Sequence, residues 1–208
     1  MKYSVDSINL LDTPLDQLSF VVFDLETTGT SPLLGDEIIE IGAVRIQENF
    51  RIIRKEPFQR LIKPNIEIPD ASNKIHGISN DIVAKSKNVC EVLYDFMEYT
   101  SSSVLVAHDA PKDMLFIKAA FREYGMSNPF ELIIDTLKMS KVLNPLDRLH
   151  NLDKIIEKYN IRVKSGYKRH RALYDAEATA VAFVYMMKKI YEEYCFTLIE
   201  LLEYLKSR

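Results

Sequence analysis

Apolar residues recur along this chain with two different periods, and the switches between them mark out its elements. Phe20–Leu25 (FVVFDL) is a short β-rich run, and Glu37–Gln47 and Phe58–Ile62 are two more. The stretch TTGTSPLLGD between the first two is turn chemistry built on Gly29, Pro32 and Gly35. Three consecutive strands with short connections read as an antiparallel meander. Apolar positions then follow helical spacing over Asp81–Thr100, through Ile82, Val89, Val92, Leu93, Phe96 and Met97. Val104–Ala107 is a short buried strand, Met114–Tyr124 a helix carrying Leu115, Ile117, Ala119 and Phe121, and Glu131–Asp135 a last strand. Leu152–Tyr159, Ala172–Tyr191 and Thr197–Lys206 return to the helical period, and the Tyr and Phe residues of this last third read as core. Strands first, then helix–strand–helix, predict an α/β fold: a mixed sheet of a three-stranded antiparallel meander plus parallel strands, flanked by helices. Residues 1–17 read as an N-terminal extension and 18–208 as one domain.

Composition narrows the setting without naming the chemistry. A chain of 208 residues, 47% hydrophobic, is enough for one domain with a full core. A net charge of −3 argues against a protein that coats long duplex nucleic acid, which takes many Lys and Arg contacts to phosphates. Cys90 and Cys195 lie far apart with no metal-ligand spacing and read as free thiols of a reducing compartment. The first 18 residues carry acids and no apolar block of signal length, and no long uncharged apolar stretch follows. A cytoplasmic protein with no membrane segment is expected.

Reactive residues gather in three separated stretches: Asp24 and Glu26 in FVVFDLETTG, Asp113 in VLVAHDAPKDMLF, and His170 with Asp175 in KRHRALYDAEATA. Each sets acid beside core-like sequence, and four carboxylates brought to one point repel unless divalent cations lie between them. That is the arrangement of a two-metal phosphoryl-transfer site. Asp24 and Glu26, two apart at a strand end, leave the strand on one face and can reach one metal together. Alone, such a pair is usually a solvated strand end. Thr27, Thr28 and Gly29 add a tight turn whose N–H groups and hydroxyls suit a terminal phosphate or 3′-hydroxyl. Asp113 follows Pro111 at a helix start, where the dipole favours an ionised carboxylate; alone it reads as an ordinary first-turn acid. Histidine titrates near neutrality, which suits His170 to a general-base role. Arg169 and Arg171, with Lys164 and Lys168, read equally well as a phosphate-attracting cluster or a solvated loop.

In order, spacing and flanking residues these stretches resemble the DEDDh (DnaQ-like) 3′→5′ exonucleases, the family of the proofreading subunits of bacterial replicative polymerases. The resemblance runs from about Leu18 to about Met187. It implies a ribonuclease H-like fold, with Asp24, Glu26, Asp113 and Asp175 holding two Mg²⁺ or Mn²⁺ ions and His170 as general base, histidine rather than tyrosine marking the subgroup. It also implies contacts with the terminal nucleotide from Leu25, Thr27, Thr28 and His76, the last in NKIHGIS. The second motif departs from the family's His-Asn-Ala-x-Phe-Asp at Asp109 and Lys112, which bears on substrate contacts and leaves the metal acid in place; Lys112 has Asp113 or a phosphate within its expected reach. The implied reaction removes nucleoside 5′-monophosphates from single-stranded or frayed DNA 3′ ends. Trimming of RNA 3′ ends is the alternative, since nothing here reads a 2′-hydroxyl. A polymerase or other replication protein is a candidate partner, although Gln17–Phe20 runs straight into the first strand and offers no clamp-binding peptide. A catalytically silent binding module is disfavoured because all five residues are present. Outside the motifs, Glu40 in EIIEIGAV reads as an outward strand residue, with a buried neighbour of the site as the alternative, and Asp153 reads as a helix cap.

Overall fold

The structure, a computed structural model, describes residues 10–130, 132–163, 166, 168–193 and 196–206. Five strands, β1 (Phe20–Thr27), β2 (Ile38–Gln47), β3 (Arg51–Leu61), β4 (Val104–Ala107) and β5 (Ile133–Asp135), form one sheet in the order β3-β2-β1-β4-β5. The first three pair antiparallel, and β4 and β5 join parallel to β1. This is the mixed sheet that the periodicity predicts, in the ribonuclease H-like form that the family resemblance implies. The helices are α1 (Asp70–His76), α2 (Asn80–Val83), α3 (Val89–Tyr99), α4 (Ala110–Glu123), α5 (Thr136–Leu143), α6 (Leu152–Lys158), α7 (Ala172–Glu193) and α8 (Leu198–Lys206).

The central strand is apolar on both faces because both are covered. Phe20 and Val22 pack with Val44 and Ile46 against α7 and α8, where Phe183 meets Phe20 edge-on at 5.1 Å. Val21 and Phe23, pointing the other way, pack with Phe58 against Phe96 of α3 and Ile117 of α4. A small third cluster, Ile39, Ile68, Ile78 and Val83, lies under α1 and α2. These two layers bring the end of β1, the start of α4 and the start of α7 to one place.

Several expected elements differ in detail. The helical spacing over 81–100 is two helices, because Asn88 opens α3 with a reciprocal capping box to Glu91, and Ile82 points outward. The third strand begins at Arg51, its exposed first half too polar to alternate visibly. Helices α1 and α5 span 7 and 8 residues, too short for a period to show. Leu115 of α4 lies on the exposed side of its helix. The strand start expected at Glu131 lies outside the described residues. Residues 13–17 are not an appendage: Leu15 is fully buried, its N–H donates to the Phe196 carbonyl at 2.8 Å, and Pro14 bridges to Thr197. The apolar Leu15 and Leu18 tie this segment to the start of α8. Cys90 is a half-buried free thiol, and Cys195 lies outside the described residues. No described helix is long and apolar enough to cross a membrane.

Candidate active site

Asp24, Glu26 and Asp175 meet at the end of β1, with a carboxylate oxygen from each lying within 4.8 Å of the other two. Asp24 and Glu26 share a face of β1, and a register shift after Glu26 ends the regular ladder there. Asp175 enters from the first turn of α7. Asp113, in the first turn of α4, completes the group, and its charge is the largest single one acting on Asp24. Pro111 sits in that same first turn, where a missing N–H leaves no bond broken.

Electrostatics here are those of crowded anions. Burial, then Asp113, Asp175 and Glu26, raise Asp24 well above the usual carboxylate range, with Arg169 partly opposing them. Burial and the neighbouring Asp175 and Glu40 push Glu26 up to about 8. Asp113 is pushed up to about 8 by burial together with Asp109 and Asp135, against the pull of backbone N–H groups. Asp175 rises to about 6 through burial, held back by Arg169 and the His170 N–H. One oxygen of Asp175, Oδ2, accepts from Arg169 Nη1 and from the His170 N–H at 3.2 Å. The other, Oδ1, is buried without a partner among the described residues. An all-oxygen donor set with raised carboxylates and an orphaned buried oxygen fits a hard divalent cation such as Mg²⁺ or Mn²⁺.

His170 is exposed at the edge of the group, in a left-handed backbone conformation with φ of 63°. Partial burial and Arg169, whose Nη1 lies 3.4 Å from the ring Nδ1, hold it below the ordinary histidine pKa, so the imidazole is neutral near pH 7. His108 is a different kind of histidine. It bonds Thr136 Oγ1 at 3.0 Å, and burial lowers it to about 4, so it serves as a neutral strut between β4 and α5.

The remaining candidates fall in several places. Leu25 and Thr27 are half-buried at the site, while Thr28 is buried. The turn's hydroxyls are not free: Thr27 donates to the Gly29 carbonyl at 2.6 Å, and Thr28 Oγ1 accepts the Glu37 N–H at 2.9 Å. At Gly29 the Asp36 carboxylate lies 2.2 Å from where a Cβ would stand, so any larger residue there would have to displace it. His76 is buried at the end of α1, accepting the Ile78 N–H at 3.0 Å beside the Thr27 backbone, so it braces the turn from behind. The two departures in the second motif form one unit: Lys112 pairs with Asp109 at 2.6 Å, one turn apart, rather than with Asp113.

Three local readings change. Arg169 and Arg171 do not form a solvent-facing cluster with Lys168, since both turn inward onto carboxylates, and Lys164 lies outside the described residues. Asp153 does not cap α6; Asn151 does, and Asp153 holds Arg169 Nε at 2.6 Å. Glu40 is fully buried, opposite Glu26 in the ladder, because α7 covers that face of β2. Its only sequence signal is a charge inside an unbroken apolar strand.

The exonuclease family (RNase T) matches residues 21–183. Among relatives, a DNA polymerase III subunit epsilon-like protein of Rhodobacter capsulatus is 41% identical over 180 residues, 86% of this chain and 25% of that protein. A PolC-type DNA polymerase III of Thermotoga petrophila is 38% identical over 182 residues, 86% of this chain and 13% of the other. Among solved structures, the nuclease domain of 3′hExo, a DEDDh family member bound to rAMP, superposes with a TM-score of 0.71 at 20% identity, covering 82% of this chain and 92% of that one. The chain belongs to the exonuclease family, whose members are metal-dependent nucleases.

Proposed function

We propose that this chain is a 3′→5′ exonuclease that removes nucleoside 5′-monophosphates from single-stranded or frayed DNA ends. The observation that carries the reading is the convergence of Asp24, Glu26 and Asp175, with Asp113 beside them and the His170 N–H bonded to Asp175. Asp24, Glu26 and Asp175 would hold one divalent ion, and Asp24 with Asp113 a second. When both are bound, the chemistry supplied is Lewis acidity toward the scissile phosphate and the attacking water. The chain's own part is to orient and to move a proton. His170 takes it from the attacking water, its neutral ring being ready to accept near pH 7. Leu25 and the backbone of the Thr27–Gly29 turn meet the terminal nucleotide, and Thr28 and His76 hold that turn in shape.

DNA is favoured because the two relatives described above, each more than 30% identical, are named for DNA polymerase III. Trimming of RNA ends by the same site is the second reading, supported by the rAMP held by 3′hExo. The matched region is a quarter or less of those relatives, so service beside a polymerase in the cytoplasm, in proofreading or repair, is part of the proposal. Matched 5′-labelled DNA and RNA oligomers, incubated with Mg²⁺, Mn²⁺ or EDTA, test it. Stepwise shortening of the DNA strand that stops in EDTA is expected. No shortening of either strand, or cleavage that survives EDTA, would overturn it.

A further inference from the structure

Arg171 joins His170 to the first turn of α7, and its side chain faces the sheet. It donates from Nε at 3.0 Å and Nη2 at 2.6 Å to the two oxygens of Glu40. The same carboxylate, fully buried, accepts the Ala172 N–H at 3.0 Å and Gln59 Nε2 at 2.8 Å. Glu40 stands directly opposite Glu26 in the β1–β2 ladder, where two like charges are unfavourable. A buried ion pair is also no more stabilising than a well-packed apolar pair. What the fork supplies is orientation, since two parallel bonds fix a guanidinium in a plane.

The segment so fixed carries the base. Ala172 is the first residue of α7, and at Gly42 the α7 backbone lies 2.2 Å from where a Cβ would stand, so the helix start rests flat on β2. Two residues earlier, His170 is exposed with a positive φ that a non-glycine residue adopts only when its surroundings impose it. The ring has Arg169 beside it at 3.4 Å, and that arginine is itself tied to Asp153 and Asp175. His170 is therefore strung between two arginines, each anchored on a carboxylate. We infer that Glu40 and Arg171 are positioning residues, a buried strap that sets the His170 imidazole for proton abstraction. This rests on the reading of His170 as the base.

The test uses the full chain as Glu40→Gln, Arg171→Lys, His170→Ala and the double variant Glu40→Gln/His170→Ala. Single-turnover rates are measured on whichever labelled strand the wild type shortens, with Mn²⁺ affinity from calorimetry. Glu40→Gln should slow the reaction about 10–100-fold, the usual loss when a supporting partner is removed, with Mn²⁺ affinity and KM held within about threefold. In the His170→Ala background the same change should lose less than about threefold more, because the strap acts through the ring. Arg171→Lys keeps the charge but not the fork; it should show a smaller loss of the same pattern, and it decides the matter if Glu40→Gln fails to fold. A wild-type rate in both single variants overturns the inference. So does a full multiplicative loss on top of His170→Ala, or a fall in Mn²⁺ affinity that matches the fall in rate. A wild type that shortens neither strand overturns the base reading, and this one with it.

Discussion

Two groups of acids lie within a few residues of one another in this molecule, and the fold treats them in opposite ways. Glu40 and Glu177 are almost wholly buried, and each is met by a guanidinium: Arg171 at 2.6 Å and Arg54 at 2.8 Å. Asp24, Glu26 and Asp113 are crowded together at the end of β1, and their carboxyls are pushed far up by burial and by one another. Among the described residues, only Asp175 of the crowded group has an arginine, and it keeps one oxygen unpartnered. Glu177 follows Asp175 by two positions on the same helix, so the contrast is not one of region or element. On the proposed function the contrast is one of purpose: a matched acid holds elements together, and an unmatched cluster is left for cations that come from solution.

The sharpest way to break this contrast is to neutralise one unmatched acid. Asp24→Asn or Asp113→Asn should lower the rate of strand shortening by on the order of 10³-fold or more, as when a core member of a catalytic unit is removed. Circular dichroism should be unchanged, since no ion pair is lost. Wild-type rates in either variant would remove that acid from the site.

Next in size is the proposed base. His170→Ala should lose on the order of 10²–10⁴-fold in rate, with Mn²⁺ affinity little changed. The wild-type rate should fall as pH drops through the lowered histidine pKa, while the variant's rate should follow hydroxide concentration and partly recover at high pH. A variant that stopped binding Mn²⁺ would make His170 a ligand instead.

Smallest is the change on the matched side. Arg54→Ala takes the guanidinium from the buried Glu177 and should destabilise the fold by about 1–2 kcal/mol, since half the arginine is in water. In a chain of this size that is about 2–4 °C of Tm for each kcal/mol. The rate should stay within about twofold of wild type because no member of the site is touched. A large loss of rate at full stability would put Glu177 on the functional side of the comparison.

The unmatched acids were the legible part of the sequence. DLETTG and HRALYD are contiguous, and their carboxylates recur in the order and spacing that the family resemblance names. The sheet was legible too, because β1 and β4 are short unbroken apolar runs with turn chemistry between strands. The matched acids were not. A charge inside EIIEIGAV carries no sign of which face α7 covers, and β2 is buried on both. The partner of Glu40 lies 131 positions along the chain, a separation that no local pattern encodes. Arg169 and Arg171 look like surface cations for the same reason, since inward rotation is decided by Asp153, Asp175 and Glu40 on other segments or later turns.

The melting temperature of the EDTA-treated protein at pH 8, wild type against Asp24→Asn, tests the central claim most directly. Carboxyls raised in the folded state bind more protons there than in the unfolded chain, so their contribution to stability is fully present below the unfolded pKa of about 4 and is lost as pH rises through the raised folded values toward 8. Neutralising Asp24 should therefore raise the metal-free melting temperature at pH 8, by about 2–4 °C for each kcal/mol of repulsion removed. Added Mn²⁺ should raise the wild type, by about 2.7 kcal/mol at a hundredfold excess over Kd, and leave the variant nearly where it was. A variant that melts below the wild type in EDTA, with Mn²⁺ shifting both alike, would mean that Asp24 is a matched structural acid and that the cluster is not waiting for metal.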